Sequence, residues 1–227
     1  MTNEVIDVPH LGGGQSLRQQ IGDVLRASVI AGRMRTGVVY SAPALALRFG
    51  VSATPVREAM LDLVAEGLVE PVRNKGFRVT ELSDTLLDEI TATRLLLEVP
   101  TTASLAASPD DRIRREVDKL YPAARRLVRL AEKRDVVGFV ELDRTFHLSV
   151  LALAGNDTLV GIVGNLRARS RLTGLADLDL GELVASANEH VELLDQILGG
   201  DPAAVTDLMT RHINHVRGSW AGFRPLR

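Results

Sequence analysis

Cysteine is absent from this sequence, and aromatic side chains and long apolar runs are scarce. A chain of 227 residues without cysteine forms no disulfide, offers no thiolate to a metal and uses no thiol in catalysis. An aromatic content of 4% argues against base stacking on single-stranded nucleic acid. No apolar run approaches the roughly 18 residues that a membrane-spanning helix requires. We therefore expect a cytoplasmic protein with no membrane partner.

Charge is distributed unevenly along the chain, although the formal net charge is only −2. Residues 16–80 contain nine arginine and lysine residues against five acidic ones, and the remainder contains 18 against 24. The length allows one large domain or two modest domains, each with its own core. A basic first part and an acidic second part suit a DNA-binding domain followed by a domain with another role.

The segment that begins at Ser41 has the pattern of two short helices separated by a tight turn. Gly50 follows an apolar run and is a natural helix end, because glycine enters the left-handed region without steric cost. Thr54 is predicted to cap the next helix, with Pro55 at its first position. An apolar stripe at helical spacing follows and ends before Gly67; its members are Val56, Ala59, Met60, Leu63 and Val64.

A two-stranded hairpin is predicted directly after this pair of helices. Its strands lie near Leu68–Val72 and Phe77–Val79, and the basic turn Arg73-Asn74-Lys75-Gly76 joins them. Arg57 lies off the apolar stripe in the first turn of the preceding helix, where a recognition helix presents side chains to base edges. Together these signals predict a winged helix-turn-helix that binds double-stranded operator DNA.

The rest of the chain divides into an arm, a first helix and a helical second domain. Residues 1–15 contain three consecutive glycines and no periodic pattern, so we interpret them as a flexible arm. A first helix is predicted from Ser16 to near Gly32, and residues 37–40 form a connection. Strand signals end at residues 80–84, which we take as the boundary between a domain over 16–80 and a domain over 81–222.

The second domain is predicted to be entirely helical, which makes the fold mainly α. One helix extends to about residue 107 with a kink at Pro100, and the next starts at Pro109 and is bent or divided at Pro122. The remaining helices are predicted over residues 135–154, 158–175, 181–198 and 202–220.

Three of the five histidines fall on apolar stripes of three predicted helices. Asp143 and His147 are four residues apart and share a helix face, while His190 and His212 lie on the last two helices. One metal ion would satisfy all four groups, and this donor set suits Zn, Ni, Mn or Fe rather than Ca or Mg. An ordinary hydrogen-bonded core residue is the alternative for each histidine alone. His215 is predicted to lie at the surface or to support the site from outside.

The segment from Gly50 to Val69 can be written GVSxTPVREAMxxLxxEGLV, and it resembles the DNA-binding domain of the GntR family of bacterial transcription regulators. The resemblance extends from Ser16 to Thr80. It implies DNA contacts from the start of the recognition helix and from the wing, namely Ser52, Thr54, Arg57, Lys75 and Gly76.

Two positions depart from the family pattern. Ala42-Pro43 stand where the family usually has an acidic residue and an arginine, and Ala53 stands where it often has arginine. Each missing cation should remove a contact, and a good bidentate base contact is worth about 1–3 kcal/mol. Arg48, Arg73 and Arg78 are expected to compensate at the DNA backbone. We predict an unusual operator or a weaker affinity, with DNA binding retained.

The helical part resembles the effector domain of the FadR subfamily, called FCD, which is an antiparallel helical bundle. The residues that carry this resemblance are Arg94-Leu95-Leu96-Leu97-Glu98, Asp143-Arg144-Thr145-Phe146-His147, Glu189-His190 and His212-Ile213. In metal-binding members an Asp, the His four residues later and one His on each of two later helices hold the metal. The resemblance therefore implies that Asp143, His147, His190 and His212 bind one divalent transition metal, with zinc as the first choice.

Arg94 is the main candidate for contact with a bound effector. It lies on an apolar helix face, where a guanidinium needs an anion, and that anion is either a small carboxylate effector or Glu98 one turn later. Asn165 and Arg169 are further candidates. Glu189 adjoins His190 but is predicted to point about 100° away around the helix, which leaves no obvious general base beside the metal.

These features predict a ligand-responsive transcription regulator and not an enzyme. A homodimer on a pseudo-palindrome is expected, because one recognition helix reads only a few base pairs. A small organic acid at the metal site would change the arrangement of the DNA-binding domains. Two alternatives stay open: a regulator with a purely structural metal, and a metalloenzyme with a vestigial DNA-binding domain.

Overall fold

The computed structural model describes residues 16–30, 32–81, 83–107, 109–170 and 179–218, with side chains as far as residue 215. The arm predicted over residues 1–15 lies outside these ranges. The chain divides into two compact units, Met1–Leu82 and Ser83–Arg227. None of the described helices combines the length and the apolar composition needed to cross a membrane.

The first unit is built from short helices and a small antiparallel sheet. Its described elements are α1 (Leu17–Ile30), β1 (Val39–Tyr40), α2 (Ala42–Phe49), α3 (Ala53–Ala65), β2 (Val69–Val72) and β3 (Gly76–Val79). Strand β3 lies in the middle, so that Phe77 pairs with Tyr40 on one side and with Pro71 on the other. The predicted helix-turn-helix with a hairpin wing is confirmed. The third strand, β1, lies within the predicted connection, because a segment of two residues has no alternating pattern to reveal it.

The boundaries of α2 follow the local sequence signals. The Ser41 hydroxyl accepts a hydrogen bond from the Ala44 N–H at 3.3 Å and so caps the first turn. At the other end Gly50 has φ 66°, the left-handed conformation predicted for a helix end. The turn between α2 and α3 is therefore fixed by the residue types that border it.

The start of α3 differs from the prediction. Thr54 is not the cap, because α3 begins at Ala53 and Ser52 holds the N-cap position in an extended conformation. Pro55 is consequently the third helical residue. A proline is tolerated there because the first N–H groups of a helix have no partner within the helix.

Gly76 is required by the close approach of the wing to β1. Its φ is 135°, and a Cβ added to it would overlap the carbonyl oxygen of Tyr40. Asn74 in the same turn also has a positive φ, 58°, which asparagine tolerates better than most residues. A glycine at position 76 therefore has a structural reason that is independent of any contact with DNA.

The second unit is helical throughout its described residues. Its elements are α4 (Asp84–Ala107), α5 (Asp111–Asp118), α6 (Tyr121–Glu132), α7 (Val136–Ala152), α8 (Asp157–Ser170), α9 (Leu180–Gly199) and α10 (Pro202–Gly218). Pro122 lies in the first turn of α6 and divides the predicted second helix, as expected. Pro100 lies inside an uninterrupted α4. The predicted ends of α8 and α10, near residues 175 and 220, lie outside the described residues.

Aspartate caps fix the starts of four of these helices. Asp110, Asp135, Asp179 and Asp201 each accept a hydrogen bond from an N–H in the first turn, of α5, α7, α9 and α10 respectively. Gly200 ends α9 with φ 74°, the stop that the sequence predicts. These local signals determine where each helix begins and ends. The helix lengths in turn determine which side chains lie at the same height in the bundle.

The helices pack so that polar side chains from five of them meet inside an apolar core. Helix α10 packs along α4 and α9, α6 packs against α7 and α9, and α8 packs against α4 and α7. The buried charged and imidazole side chains of this unit are Arg94, Glu98, Asp143, His147, Arg167, Glu189, His190 and His212.

Candidate metal centre and nucleic-acid face

The four predicted metal ligands come together inside the bundle. Asp143 and His147 project from α7, His190 from α9 and His212 from α10, and none is more than 5% exposed. One ligand atom from each lies within 4.8 Å of all the others. Residues separated by up to 69 positions in the chain therefore form a single cluster of donors.

Hydrogen bonds determine which ring nitrogens carry protons. His190 Nδ1 lies 3.1 Å from the Ala187 carbonyl oxygen, which only accepts, so Nδ1 holds the proton. Its Nε2 then presents a lone pair to Asp143 Oδ1 at 3.0 Å. In the same way His212 Nδ1 donates to Glu189 Oε2 at 2.8 Å and leaves a lone pair on Nε2. The lone pair of His190 thus faces a carboxylate oxygen and that of His212 faces His147 Nε2 at 3.0 Å, and a proton or a metal cation between the paired atoms would stabilise each contact.

Burial keeps the three imidazoles neutral. It lowers the pKa of His190 to about 4 and that of His212 to about 3, and it holds the pKa of His147 well below its usual value. The positive charge of Arg167 acts in the same direction on all three. At neutral pH the rings are therefore in the neutral form, which is the form that binds a metal cation.

The spacing of the donors fits a transition metal. Metal bonds of about 2.0–2.2 Å to nitrogen or oxygen place neighbouring ligand atoms about 3–3.5 Å apart. His147 Nε2 lies 3.0 Å from His212 Nε2 and 3.6 Å from Asp143 Oδ1. Neutral imidazoles with one carboxylate are a donor set for Zn, Ni, Mn or Fe. The residues present therefore fit the cofactor that the sequence predicts.

Glu189 belongs to this cluster, contrary to the prediction from its own helix. It does differ in direction from His190 around α9, but α10 packs on that side and brings His212 to it. Arg211 Nε donates to Oε1 at 2.9 Å, and the half-exposed His215 lies 3.6 Å from Oε2. Burial would raise the pKa of Glu189, but the hydrogen bonds from His212 and His215 hold it far below its usual value. Glu189 is therefore an ionised carboxylate behind a candidate metal ligand.

Arg94 is paired within the chain, with the second of the two anions that the sequence leaves open. Its Nε lies 2.6 Å from Glu98 Oε1, and both side chains are almost completely buried. A terminal nitrogen of Arg94 approaches Ser170 Oγ at 3.5 Å. Of the two partners predicted for Arg94, the structure selects Glu98.

Arg167 is a buried cation that no sequence pattern marks. Its Nε lies 2.9 Å from Glu98 Oε2, with a second bond from a terminal nitrogen, and its other terminal nitrogen lies 3.4 Å from Asp143 Oδ2. Burial would raise the pKa of Glu98, but Arg167 and Arg94 hold it at about 2. Burial lowers the pKa of Arg167 to about 10, so Arg167 stays charged at neutral pH. Arg167 therefore connects the Arg94–Glu98 pair to the candidate ligand Asp143.

Asn165 and Arg169 do not reach this cluster among the described contacts. Asn165 is exposed and Arg169 is only partly buried, although both lie two residues from Arg167 on α8. Two residues correspond to about 200° around a helix, so both point away from the face that Arg167 buries. Their predicted role as effector contacts is not supported by their position.

The four predicted basic DNA contacts of the first unit line two hollows, which together form its basic surface. Arg57, Arg73 and Lys75 line a hollow of about 450 Å³ between α3, the start of α2 and the wing. Arg48 and Lys75 line a second hollow of about 290 Å³ beside β1. Ser52 and Thr54 are exposed at the start of α3. This surface is where a recognition helix and a wing would meet a duplex.

Two acidic side chains in the region of α3 are neutralised from α1. Arg18 forms a bidentate pair with Asp62, and Arg26 does the same with Glu66 at 2.6 and 2.8 Å. These pairs attach the recognition helix to α1 and reduce its negative charge. Arg78, expected to compensate for the missing cations, is instead paired with Glu70 at 3.0 Å.

Pro43 lies on the rim of the larger hollow, so one departure from the family pattern falls on this surface. The position of the missing family arginine therefore faces the place where DNA contacts are predicted. Arg73 and Lys75 line the same hollow, and Arg48 lines the second one.

Two family descriptions match the chain, one for each unit. "Bacterial regulatory proteins, gntR family" matches residues 17–79, and "FCD domain" matches residues 89–215. The two matches correspond to the winged helix and to the helical bundle that contains the donor cluster.

Named relatives are similar over most of the chain. It is 29% identical over 199 residues to a probable D-xylose utilization operon transcriptional repressor from Paenarthrobacter nicotinovorans, covering 87% of this chain and 86% of that protein. It is 27% identical over 177 residues to the HTH-type transcriptional regulator McbR of Escherichia coli (strain K12), covering 78% of each.

Solved structures show the same fold. The structure of E. coli McbR/YncC has a TM-score of 0.71 and 24% identity, and the match covers 89% of this chain and 95% of that one. A structure from Rhodococcus sp. RHA1, described as a transcriptional regulator GntR, has a TM-score of 0.68 and 21% identity, with 92% and 100% covered.

Fold, basic surface and relatives together define a bacterial transcription regulator with a DNA-binding helix-turn-helix and an effector domain. The chain belongs to the GntR family, and its FCD domain indicates the FadR-like subfamily. The predictions of the family, of the fold class and of a regulator in place of an enzyme are thereby confirmed.

Proposed function

We propose that this regulator binds a divalent transition metal through Asp143, His147, His190 and His212, and that a small carboxylate bound there controls operator binding. One observation carries the proposal: four buried side chains from three helices each bring a ligand atom to within 4.8 Å of all the others. Buried polar groups need partners, and one metal ion would serve all four. Zinc is the first candidate, with nickel, manganese and iron as alternatives.

The chain's own residues would hold the metal ligands in place. Arg167 contacts the Asp143 oxygen that does not face His190, so the carboxylate presents Oδ1 to the cluster. When bound, the metal would supply a Lewis-acid centre with positions left for effector oxygens. Because Arg94 is already paired with Glu98, the proposal does not depend on Arg94 as an effector contact.

We assign DNA binding to residues 16–80 and effector binding to residues 81–222. The regulator acts as a homodimer on a pseudo-palindromic operator, since one recognition helix reads only a few base pairs. It works where the bacterial chromosome lies, in the cytoplasm. A carboxylate controls it only if its affinity differs between the DNA-binding and the released arrangement.

Replacing Arg57 by alanine is expected to weaken binding to the operator about 5- to 150-fold without unfolding the protein. Arg57 is exposed on α3 and lines the larger hollow, so its loss removes a contact to DNA and no core packing. A bidentate contact to a base is worth about 1–3 kcal/mol. The measurement is a binding isotherm on a duplex that the wild type selects from a random-sequence library, repeated over a range of salt concentrations.

Arg126→Ala is the matched control, because it removes the same charge from an exposed position on α6. It should leave both the affinity and its salt dependence unchanged. If the wild-type affinity does not vary with salt, phosphate contacts are absent and the assignment of the basic surface is wrong. Equal losses in both variants would attribute the effect to net charge alone.

A small carboxylate is expected to raise the melting temperature only when the metal is bound. A ligand at about 100 times its dissociation constant adds roughly 2.7 kcal/mol of stability. The measurement is a thermal melt of the full chain as purified, after chelation, and after chelation and Zn²⁺ addition, each with acetate, lactate and malonate in turn. His190→Asn should abolish the metal effect, whereas Arg126→Ala at an exposed position on α6 should retain it.

This experiment also separates the remaining alternatives. If Zn²⁺ stabilises the protein and no carboxylate adds to it, the metal is structural, as in the first alternative. If Zn²⁺ itself has no effect on the wild type, the metal proposal fails. The second alternative, a metalloenzyme, has no support from the named relatives, which are transcription regulators.

A further inference from the structure

The carboxylate of Glu189 lies behind the donor cluster, in contact with one of the candidate metal ligands. It lies on α9 next to the ligand His190, and it contacts the ligand on the neighbouring helix, His212. Its Oε2 is 2.8 Å from His212 Nδ1, and its Oε1 accepts from Arg211 Nε at 2.9 Å. Helix α9 thus supplies one ligand, His190, and from the residue before it a partner for the ligand on α10.

This contact determines which ring nitrogen of His212 carries the proton and which one faces the donor cluster. A neutral imidazole has one N–H, and an ionised carboxylate only accepts, so the proton is held on Nδ1. The Nε2 lone pair is then directed at the cluster, 3.0 Å from His147 Nε2. A carboxylate in this position fixes both the tautomer and the ring orientation of a metal-binding histidine.

The support of His212 differs from that of His190. His190 Nδ1 faces a carbonyl of its own helix, that of Ala187, so a side-chain substitution does not remove this bond. His212 depends on a side chain from another helix. Arg211, adjacent to His212 on α10, holds the second carboxylate oxygen and so pins Glu189 in place. The orientation of this one ligand is therefore open to a test by mutation.

We propose that Glu189 is a positioning residue of the metal centre, which orients His212 and joins α9 to α10 at the site. This inference rests on the proposed function, because it assigns a role toward the metal. Glu189 itself is not a ligand: it acts on the metal through the imidazole of His212. Its removal weakens metal binding while the ligand atoms themselves remain.

The decisive variant is Glu189→Gln in the full chain, with Zn²⁺ as the probe. Loss of a carboxylate behind a metal-binding histidine is expected to weaken affinity about 10–100-fold. The affinity is measured by competition with a coloured chelator. The second readout is the ¹⁵N shift of His212 in histidine-labelled, metal-free protein, which should change from protonation at Nδ1 toward a mixture of tautomers. Glu189→Asp should restore part of both.

Glu192→Gln is the matched control on the same helix. Glu192 is exposed and lies 3.8 Å from Arg211, so its loss removes the same charge nearby without touching His212. The control should keep the wild-type affinity and the wild-type tautomer. A melt of each metal-free variant establishes that the bundle is folded.

The outcomes distinguish this inference from the metal proposal. Wild-type affinity and tautomer in Glu189→Gln would overturn the positioning role, as would an equal loss of affinity in Glu192→Gln. A weaker affinity with an unchanged His212 tautomer would overturn it too, because the effect would then not pass through the imidazole. If the wild type does not bind Zn²⁺, the metal proposal fails, and the tautomer in metal-free protein still tests whether Glu189 orients His212.

Discussion

Replacing Glu98 by glutamine is expected to lower the free energy of unfolding of the effector domain by about 3–5 kcal/mol. Glu98 is completely buried and accepts hydrogen bonds from two guanidinium groups, those of Arg94 and Arg167. Glutamine has nearly the same shape but no charge, so Arg94 would remain buried without its counterion and Arg167 would keep only the longer contact to Asp143, at 3.4 Å. Loss of one partner of a buried ion pair costs more than the pair contributes, because the remaining charge has left water.

The measurement is urea denaturation of metal-free protein at neutral pH, followed by circular dichroism. The two units of the chain allow separate transitions, so the transition of the DNA-binding unit serves as an internal reference. The expected result is a lower midpoint for the helical bundle and an unchanged midpoint for the winged helix. A loss below about 1 kcal/mol would mean that water or a neighbouring group compensates the guanidiniums, contrary to the described contacts.

Glu116→Gln is the matched control for Glu98→Gln. Glu116 is 40% exposed and pairs with Lys119 at 2.7 Å, so it makes an ion pair of the same type at the surface. Its replacement should change stability by no more than about 0.5 kcal/mol. The contrast between the two variants isolates burial, because the substitution and the charge are the same in both.

Acidification from pH 7 to pH 5 is expected to destabilise the metal-free effector domain by about 2 kcal/mol for each of His190 and His212. Burial lowers the pKa of these residues from 6.5 to about 4 and about 3 in the folded state. Below pH 6.5 the unfolded chain therefore binds protons that the folded chain cannot. As the pH is lowered, the free energy of unfolding falls until the pH reaches the pKa that the histidine has in the folded state. His147 contributes in the same direction.

A second effect of acid, which comes from the carboxylate of Glu98, begins at lower pH. The pKa of Glu98 is about 2 in the folded state against an ordinary 4.5, so its ion pairs are fully present above 4.5. Their contribution is lost as the pH falls from there toward 2. The histidines and Glu98 therefore destabilise the bundle in succession, first between pH 6.5 and about 3 and then between pH 4.5 and about 2.

Urea midpoints at pH 7, 6 and 5 measure the histidine effect. Residues 16–80 contain no histidine, so the transition of the DNA-binding unit should stay nearly constant over this range. His190→Asn should reduce the loss of unfolding free energy between pH 7 and pH 5 by about the amount expected for one histidine. His215→Asn should not reduce this loss, because a hydrogen bond to Glu189 raises the pKa of His215. Equal stability of the wild type at pH 7 and pH 5 would show that the cluster takes up protons while folded.

Local sequence signals account for much of the fold. Serine and aspartate caps and glycine stops mark the helix boundaries, because a side-chain acceptor or a left-handed residue acts over only a few positions. The candidate metal ligands are also predictable, since each lies in an apolar stripe of its own helix. A polar group that must be buried needs a partner, and this requirement indicates a shared site before the packing is known.

The two differences between the predicted and the observed first unit, at β1 and at the start of α3, also have local causes. The two residues of β1 carry no strand pattern, and only their pairing with β3 defines them. At the start of α3 both Ser52 and Thr54 are suitable caps by residue type. The extended conformation of Ser52 after the turn decided between them. Two capping residues of similar propensity that lie two positions apart cannot be distinguished by residue type alone.

By itself, the sequence determined the family, the division into a basic and an acidic part, and the four candidate ligands. The tertiary structure decided how the buried charges are paired. Spacing on α8 does not reveal that Arg167 faces the core, because no apolar stripe distinguishes it from the residues two positions away. The geometry of α9 alone directs Glu189 away from His190, and the packing of α10 brings His212 to it. A periodic pattern fixes the direction of a side chain on its own helix, whereas the group it meets depends on which helix packs there.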